Sequence, residues 1–157
     1  MSSDITSEQK ARKNWLTALA LADTSRLNEI AESMESGMEF RFLRKPEVGL
    51  AMVRGRAGGA GAAFNLGEVT VTRCVVSLED TISGAPIDGV SCIRGRDSQR
   101  AELVAKLDAL FQDTGIGPAF REAALATLAA DRDAVLAKHG SNAAATKVDF
   151  FTMERGH

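Results

Sequence analysis

Three strand patterns follow one another in the middle of the chain, and this order restricts the fold more than any other feature. They span Val48–Arg56, Val69–Leu78 and Val90–Arg96, and Phe40 and Phe42 alternate with charged residues before the first. Only a glycine-rich loop and a turn at 84–86 separate the patterns, so no crossover helix links them and the strands run largely antiparallel. We therefore predict an α+β fold over 1–157, one domain with a largely antiparallel sheet flanked by N-terminal and C-terminal helices.

Two helices are predicted before the sheet. Thr6 and Gln9 have the spacing of a capping box, which marks a helix start. One apolar stripe then holds Ala11, Trp15, Leu19 and Ala22, and a second, after Asp23, holds Leu27, Ile30, Ala31 and Met34. We expect Trp15 to anchor this pair of helices to the sheet.

Two further helices are predicted after the sheet. Asp97 can cap the first, and Pro118 suits the first turn of the second, which should end before Gly140. The residues expected to face inward are Leu103, Val104, Leu107, Leu110 and Phe111 in the first helix and Phe120, Leu125, Leu128, Val135 and Leu136 in the second. In the apolar tail we predict that Phe150, Phe151 and Met153 contact the domain or a partner, because exposed aromatic residues are sticky.

Charge and rare residues exclude several functions. The 157 residues carry 19 basic and 21 acidic side chains, so no global field favours nucleic acid or an anionic membrane. No apolar run reaches the roughly 18 residues of a membrane span, and the polar, acidic N-terminus does not read as a signal peptide, so we expect a cytoplasmic protein. Two cysteines and two histidines cannot build a closed zinc site or an iron–sulfur site, and we predict no metal and no cofactor bound by this chain itself.

The middle of the chain, residues 37–100, is locally basic and rich in glycine. It holds 10 of the 14 glycines, and nine basic side chains against seven acidic ones. The loop with Arg54, Arg56, Gly58, Gly59 and Gly61 could hold an anion through backbone amides and guanidinium groups. It lacks the lysine of a P-loop and is followed by a strand, so a purely structural hairpin loop is the alternative.

Strand alternation suggests that further arginines join this loop. Leu50, Met52, Arg54 and Arg56 share one face of a regular first strand, and Arg73, Arg94 and Arg96 end apolar rows of the other two. The hypothesis is that these arginines gather at the rim of the core face and bind phosphate. Alternatively, they form ion pairs with Glu68, Asp97 or Glu102. Cys74 and Cys92 are expected to be small buried apolar residues.

Several motifs together resemble a known family. They are Glu47–Leu50 with Arg56–Gly61, Phe64–Arg73, Gly95-Arg96-Asp97 with Ala101-Glu102, Asn14-Trp15-Leu16, and the tail Val148–Gly156. In order and spacing they are similar to the PhnG family, the G subunits of the bacterial carbon–phosphorus lyase system, across nearly the whole chain. One position departs, because Arg100 stands where the family often has histidine, which argues against an indispensable catalytic histidine there.

The resemblance implies a place in organic phosphonate catabolism, within a core complex of G, H, I and J subunits. With the L subunit, the G, H and I subunits are associated with the displacement of adenine from ATP by an alkylphosphonate. The radical chemistry and its iron–sulfur cluster belong to the J subunit. The resemblance identifies no catalytic residue here, and the chain is not expected to be catalytic alone. A stand-alone phosphate- or nucleotide-binding protein is the alternative.

Overall fold

The fold is described by a computed structural model over residues 6–33, 38–59 and 61–145. Its elements are α1 (Ser7–Leu21), α2 (Thr24–Glu32), β1 (Arg41–Arg56), a short 3₁₀ turn (Ala57–Gly59), β2 (Ala63–Glu79), β3 (Pro86–Arg94), α3 (Ser98–Gln112) and α4 (Gly117–Ala145). The three strands form one antiparallel sheet in the order β1-β2-β3. The predicted α+β architecture with helices at both ends is confirmed. Across these ranges no helix is long and apolar enough to cross a bilayer.

All three strands begin earlier than predicted, with β3 starting at Pro86, and β3 also ends earlier. β1 runs through Pro46 without a break, because Pro46 lies on an edge strand and the register shifts between Arg44 and Glu47. β2 begins at Ala63, so β1 and β2 form a long hairpin. β3 ends at Arg94, where Gly95 takes a positive φ of 98° and turns the chain away from the sheet.

The predicted helix starts are confirmed. The Thr6 hydroxyl accepts from the Gln9 amide at 3.2 Å, and the Gln9 side chain accepts from the Thr6 amide at 3.0 Å. The Asp97 carboxylate accepts from the Arg100 amide at 2.9 Å at the start of α3. All five residues expected on the inward face of α3 are buried. Local capping chemistry therefore determines where these helices begin.

One face of the sheet packs on α3, and no helix within the described ranges covers the other, which we call the open face. Thr72, Cys74 and Val76 of β2 are buried on the covered face, and Ile93 of β3 lies across from Thr72. At Gly89 the helix comes so close that an added Cβ would lie 2.0 Å from the Ala105 carbonyl oxygen. Residues of opposite parity, including Arg73, therefore project from the open face.

Trp15 anchors α1 to α3 and not, as predicted, to the sheet. Its ring meets Phe111 edge-on, with centroids 6.1 Å apart, and its indole nitrogen donates to Asp108 at 2.7 Å. α1 therefore packs mainly on α3 and also reaches the β3 edge, where Arg12 donates to the Asp88 carbonyl at 3.0 Å.

The second half of α4 departs from the prediction. Val135 and Leu136 are 52% and 56% exposed, and the helix continues past Gly140 to Ala145. Leu128 is the last buried residue on the described part of α4, because the helix there extends beyond α1 and α3, its packing partners. The predicted contact residues Phe150, Phe151 and Met153 lie outside the described residues.

Candidate functional site

Two arginines project from the open face of the sheet and lie near each other. Arg73 in β2 is directly opposite Cys92 of β3, and Arg94 follows Cys92 by two residues on the same face. Such diagonal neighbours have Cα atoms roughly 7–8 Å apart. Arginine side chains anchored at this Cα spacing are long enough for their guanidinium groups to reach different oxygens of one phosphate or carboxylate ligand.

Gly49 gives the Arg73 side chain its place on the sheet. A Cβ built on Gly49 of β1 would lie 2.9 Å from the Arg73 Nη2 atom. The guanidinium group therefore lies across β1 where the strand has no side chain. Sequence reasoning did not single out Gly49, although a glycine inside a strand pattern often marks such a close approach.

The five predicted arginines have no carboxylate partner in the part of the chain that the structure describes. All five, Arg54, Arg56, Arg73, Arg94 and Arg96, are exposed. Glu102 pairs with Lys106 at 2.8 Å, and Asp97 caps α3. The alternative of ion pairs with Glu68, Asp97 or Glu102 is therefore wrong for these ranges.

The arginines do not gather at one place, contrary to the hypothesis. Arg73 is opposite Glu47 of β1, nine residues before Arg56, so the two lie roughly 25–30 Å apart at the rise of a strand. Arg54 and Arg56 sit near the tip of the β1–β2 hairpin, beyond the helices. The hypothesis fails because alternation within one strand shows only which residues share a face. The register of β1 on β2 determines which residues of the two strands are neighbours.

The loop at the hairpin tip is held by its own backbone. Arg56 donates from Nη1 to the Gly61 carbonyl at 3.0 Å, and the Gly61 amide donates to the Ala57 carbonyl at 3.2 Å. Gly58 has a positive φ of 60°, and Gly59 completes the 3₁₀ turn. Part of the donor capacity of Arg56 therefore stabilises the loop, while anion binding by the loop glycines stays a prediction.

Arg96 lies in the turn that leads from β3 to α3. The Gly95 amide donates to the Thr70 carbonyl at 2.9 Å, and the Thr72 hydroxyl accepts from the Asp97 amide at 3.1 Å. These bonds hold the turn on β2. Arg96 therefore follows Arg94 at the end of β3, in a turn bonded to Thr72, and does not lie at the hairpin tip.

The two cysteines differ in their environments. Cys74 is fully buried on the covered face, and burial, as the largest cause, raises the pKa of its thiol to about 11. Cys92 is exposed on the open face, so the prediction that it is buried is wrong. Both lie within strand patterns, but only the covered face is packed by α3.

Apolar side chains are exposed along the half of the β1–β2 hairpin that projects beyond the core. We call this half, residues 48–56 and 63–68, the hairpin arm. Leu50 and Met52 were expected on the core face, and they do lie on the side of the sheet that α3 covers further along. They are nevertheless 58% and 51% exposed, because no described helix reaches them. The other exposed large apolar residues of the arm are Val48, Val53, Phe64 and Leu66.

Sequence reasoning missed the buried carboxylate of Asp108. It accepts from Arg12 Nη2 and Trp15 Nε1, both at 2.7 Å, and from the Val90 amide at 2.9 Å. This network joins α1, α3 and β3, and an acidic residue within the apolar stripe of α3 is the signal that could have found it. Arg100 has a similar structural role, donating to the Ala20 carbonyl at the end of α1.

The described residues contain no cluster of three or more histidine, cysteine or acidic residues that could hold a metal ion. A cleft of about 860 Å³ lies beside the start of β1, lined by Phe40, Arg41, Leu78 and Pro86 among others. None of the five predicted arginines lines it. The arginines therefore do not form the wall of this cleft.

The comparisons with known proteins agree with the motifs. A family model described as "Phosphonate metabolism protein PhnG" matches residues 10–156. The protein "Alpha-D-ribose 1-methylphosphonate 5-triphosphate synthase subunit PhnG" of Rhizobium meliloti (strain 1021) is 40% identical over 145 residues, which cover 92% of this chain and 89% of that protein. The residues that match the family model include every strand and all of α2, α3 and α4. The chain belongs to the PhnG family of phosphonate metabolism proteins.

Proposed function

We propose that this chain is the G subunit of an alpha-D-ribose 1-methylphosphonate 5-triphosphate synthase. In this reaction a phosphonate oxygen bonds to C1 of the ATP ribose while the bond from C1 to adenine breaks, and adenine leaves. The observation that carries the proposal is the family match along nearly the whole chain, with a relative named for this synthase. The H, I and L subunits act with it, and the J subunit joins the core complex and holds the iron–sulfur cluster.

The charges of the open face support a ligand-binding role for the chain in that complex. ATP and methylphosphonate are both anions, and Arg73 and Arg94 present exposed guanidinium groups without a carboxylate partner within the described ranges. A flat sheet cannot enclose a nucleotide, so a second subunit must cover the ligand. The open-face arginines would thus form one wall of a composite site, which favours a subunit over a stand-alone binding protein.

Arginine variants of the assembled complex test this role. Arg73→Gln and Arg94→Gln should leave assembly intact and raise the KM for ATP or methylphosphonate about 10- to 150-fold each, since one charge-assisted contact contributes about 1.5–3 kcal/mol. The measurement is adenine release by chromatography at varied substrate. Arg132→Gln, at an exposed position of α4, is the matched control. Unchanged KM values in both variants would rule out the ligand role.

A role in assembly alone is the second candidate, because the same guanidinium groups could pair with carboxylates of a neighbouring subunit. In that case Arg73→Gln and Arg94→Gln complexes fall apart during size-exclusion chromatography, while any complex that forms has normal KM values. A stand-alone nucleotide-binding function requires that the isolated chain bind ATP in calorimetry. If this chain assembled with none of the H, I and L subunits, the proposed function itself would be contradicted.

A further inference from the structure

The two edges of the sheet differ in whether their backbone groups are satisfied. On β3, the Asp88 carbonyl accepts from Arg12 at 3.0 Å and from Gln112 at 3.1 Å, and the Val90 amide donates to Asp108. Side chains of α1 and α3 therefore close part of this edge. β1 forms the other edge and has no neighbour on its outer side within the described residues.

Hydrogen bonds between the strands identify which residues of β1 direct their backbone groups outward. The Thr70 carbonyl accepts from Gly95 on the β3 side, so its neighbours Val69 and Val71 bond toward β1. Their partners in β1 are Ala51 and Gly49. Since successive residues of a strand alternate, Val48, Leu50 and Met52 direct their N–H and C=O groups to the outer edge.

The first part of β1 carries features that prevent strand pairing, and the arm does not. Pro46 has no N–H to donate to a further strand, and Lys45 is charged. From Val48 to Val53 no charge or proline follows, and the side chains of Leu50 and Met52 are more than half exposed. A long exposed edge of this kind is a template for another strand.

Charge favours a different protein over a second copy as the occupant. β1 carries Arg41, Arg44, Lys45, Arg54 and Arg56 but one acidic residue, Glu47. A second copy paired antiparallel about Leu50 would place Arg44 opposite Arg56, and like charges directly opposite are destabilising. The complementary strand has an apolar centre and acidic residues at both ends.

We propose that the β1 edge from Val48 to Met52 pairs with an extended strand of another subunit, apolar at its centre and acidic at both ends. The pairing extends the sheet by one strand, and the apolar side chains of the arm pack on that strand. Arg54 and Arg56 meet its acidic end. This inference rests on the proposed function, because the partner is a subunit of the same complex.

A proline at the edge tests the pairing directly. Leu50→Pro removes an N–H that has no partner within the described part of the chain, so the full chain should keep its circular dichroism spectrum and its melting temperature. Co-expressed with tagged H, I and J subunits, it should co-purify at least 10-fold less than the natural chain. Leu50→Ala keeps the N–H, and its co-purification should fall less than 3-fold. Equal losses in the two variants would overturn strand pairing.

A second pair of variants keeps the test decisive if Leu50→Pro fails to fold. Arg54→Glu with Arg56→Glu should also reduce co-purification at least 10-fold, whereas Arg132→Glu on α4 should not. If the chain that carries both Arg54→Glu and Arg56→Glu assembles normally, the partner strand is not acidic and the proposal is overturned. A homodimer of the isolated chain that Leu50→Pro dissociates would also overturn it, in favour of self-pairing. A natural chain that co-purifies with no subunit would overturn the proposed function together with this inference.

Discussion

Asp80 and Asp113 each bind the threonine that follows the other. The Asp80 carboxylate accepts from the amide and the hydroxyl of Thr114 at 2.7 and 2.9 Å. The Asp113 carboxylate accepts from the amide and the hydroxyl of Thr81 at 2.7 and 2.8 Å. Both aspartates are buried, so this exchange fastens the turn after β2 to the turn after α3.

This exchange predicts a loss of stability in acid. A hydrogen bond from the Ser83 hydroxyl, with those of Thr114, holds the pKa of Asp80 well below its usual value of 3.8. Burial is the largest influence on the pKa of Asp113 and raises it, but donors from Thr81, Gly115 and Ile116 together outweigh burial and lower it. Because both carboxylates have depressed pKa values in the fold, their contribution is complete above about pH 4 and disappears as the pH falls through the folded pKa values.

Thermal melts between pH 7 and pH 2.5 check this expectation. The natural chain should lose melting temperature steadily below pH 4. Asp113→Asn should start from a lower melting temperature at pH 7 and lose less of it in acid, since one titrating group has been removed. Parallel profiles for the two proteins would show that Asp113 does not carry the acid sensitivity.

Local chemistry predicted where the helices begin, whereas long-range packing determined which side chains are buried. The Thr6–Gln9 spacing and the Asp97 cap could be read from the sequence because each acts within three residues. Cys92 and Leu136 could not, because their exposure depends on where α3 and α4 find packing surfaces. Likewise the separation of Arg73 from the hairpin tip follows from the register of β1 on β2, which the alternation within one strand does not define.

Removal of the Asp108 carboxylate should be strongly destabilising. Asp108 is fully buried and binds Arg12, Trp15 and the Val90 amide. Asp108→Ala leaves the Trp15 and Val90 donors without this partner. It also breaks the ion pair of Arg12, which keeps its bond to the Asp88 carbonyl. Loss of one member of a buried ion pair lowers the free energy of unfolding by about 3–5 kcal/mol, and the lower end applies because Arg12 keeps a third of its side chain in water. Urea denaturation measures the difference.

The exposed pair of Arg44 and Glu47 provides the control for that measurement. Their side chains are about half exposed and 3.0 Å apart, so Glu47→Ala should change the free energy of unfolding by about 0–1 kcal/mol. Similar losses for Asp108→Ala and Glu47→Ala would contradict the importance of the buried network.

A methyl group at Gly89 should force α3 away from the sheet. The new Cβ would lie 2.0 Å from the Ala105 carbonyl oxygen and 2.7 Å from the Ala109 amide nitrogen, which are backbone atoms that cannot rotate aside. Gly89→Ala should lower the free energy of unfolding by about 1–3 kcal/mol. At Gly55 the close atom is the end of the exposed Leu66 side chain, so Gly55→Ala is the mild control. Equal urea midpoints for Gly89→Ala and Gly55→Ala would contradict the close contact between Gly89 and α3.

The thiols should react at very different rates. Cys92 is exposed, whereas Cys74 is buried and its thiol pKa is raised to about 11, so almost none of it is thiolate at pH 8. We expect one thiol of the native chain to react quickly with Ellman's reagent and the second only after unfolding in guanidinium chloride. Cys92→Ser should abolish the fast reaction, and a fast reaction that persists in this variant would show that Cys74 is accessible.

Substitution of Gly49 should impair Arg73 without disturbing the fold. Gly49→Ala places a Cβ 2.9 Å from Arg73 Nη2, and the flexible end of this side chain can move away at little cost. The melting temperature should therefore stay within a few degrees, while the KM of the assembled synthase for ATP or methylphosphonate rises, though less than in Arg73→Gln. Gly55→Ala, at the far end of the same strand, is the matched control. If Arg73→Gln raises the KM and Gly49→Ala leaves it unchanged, then Arg73 binds its ligand from a position other than the one above Gly49.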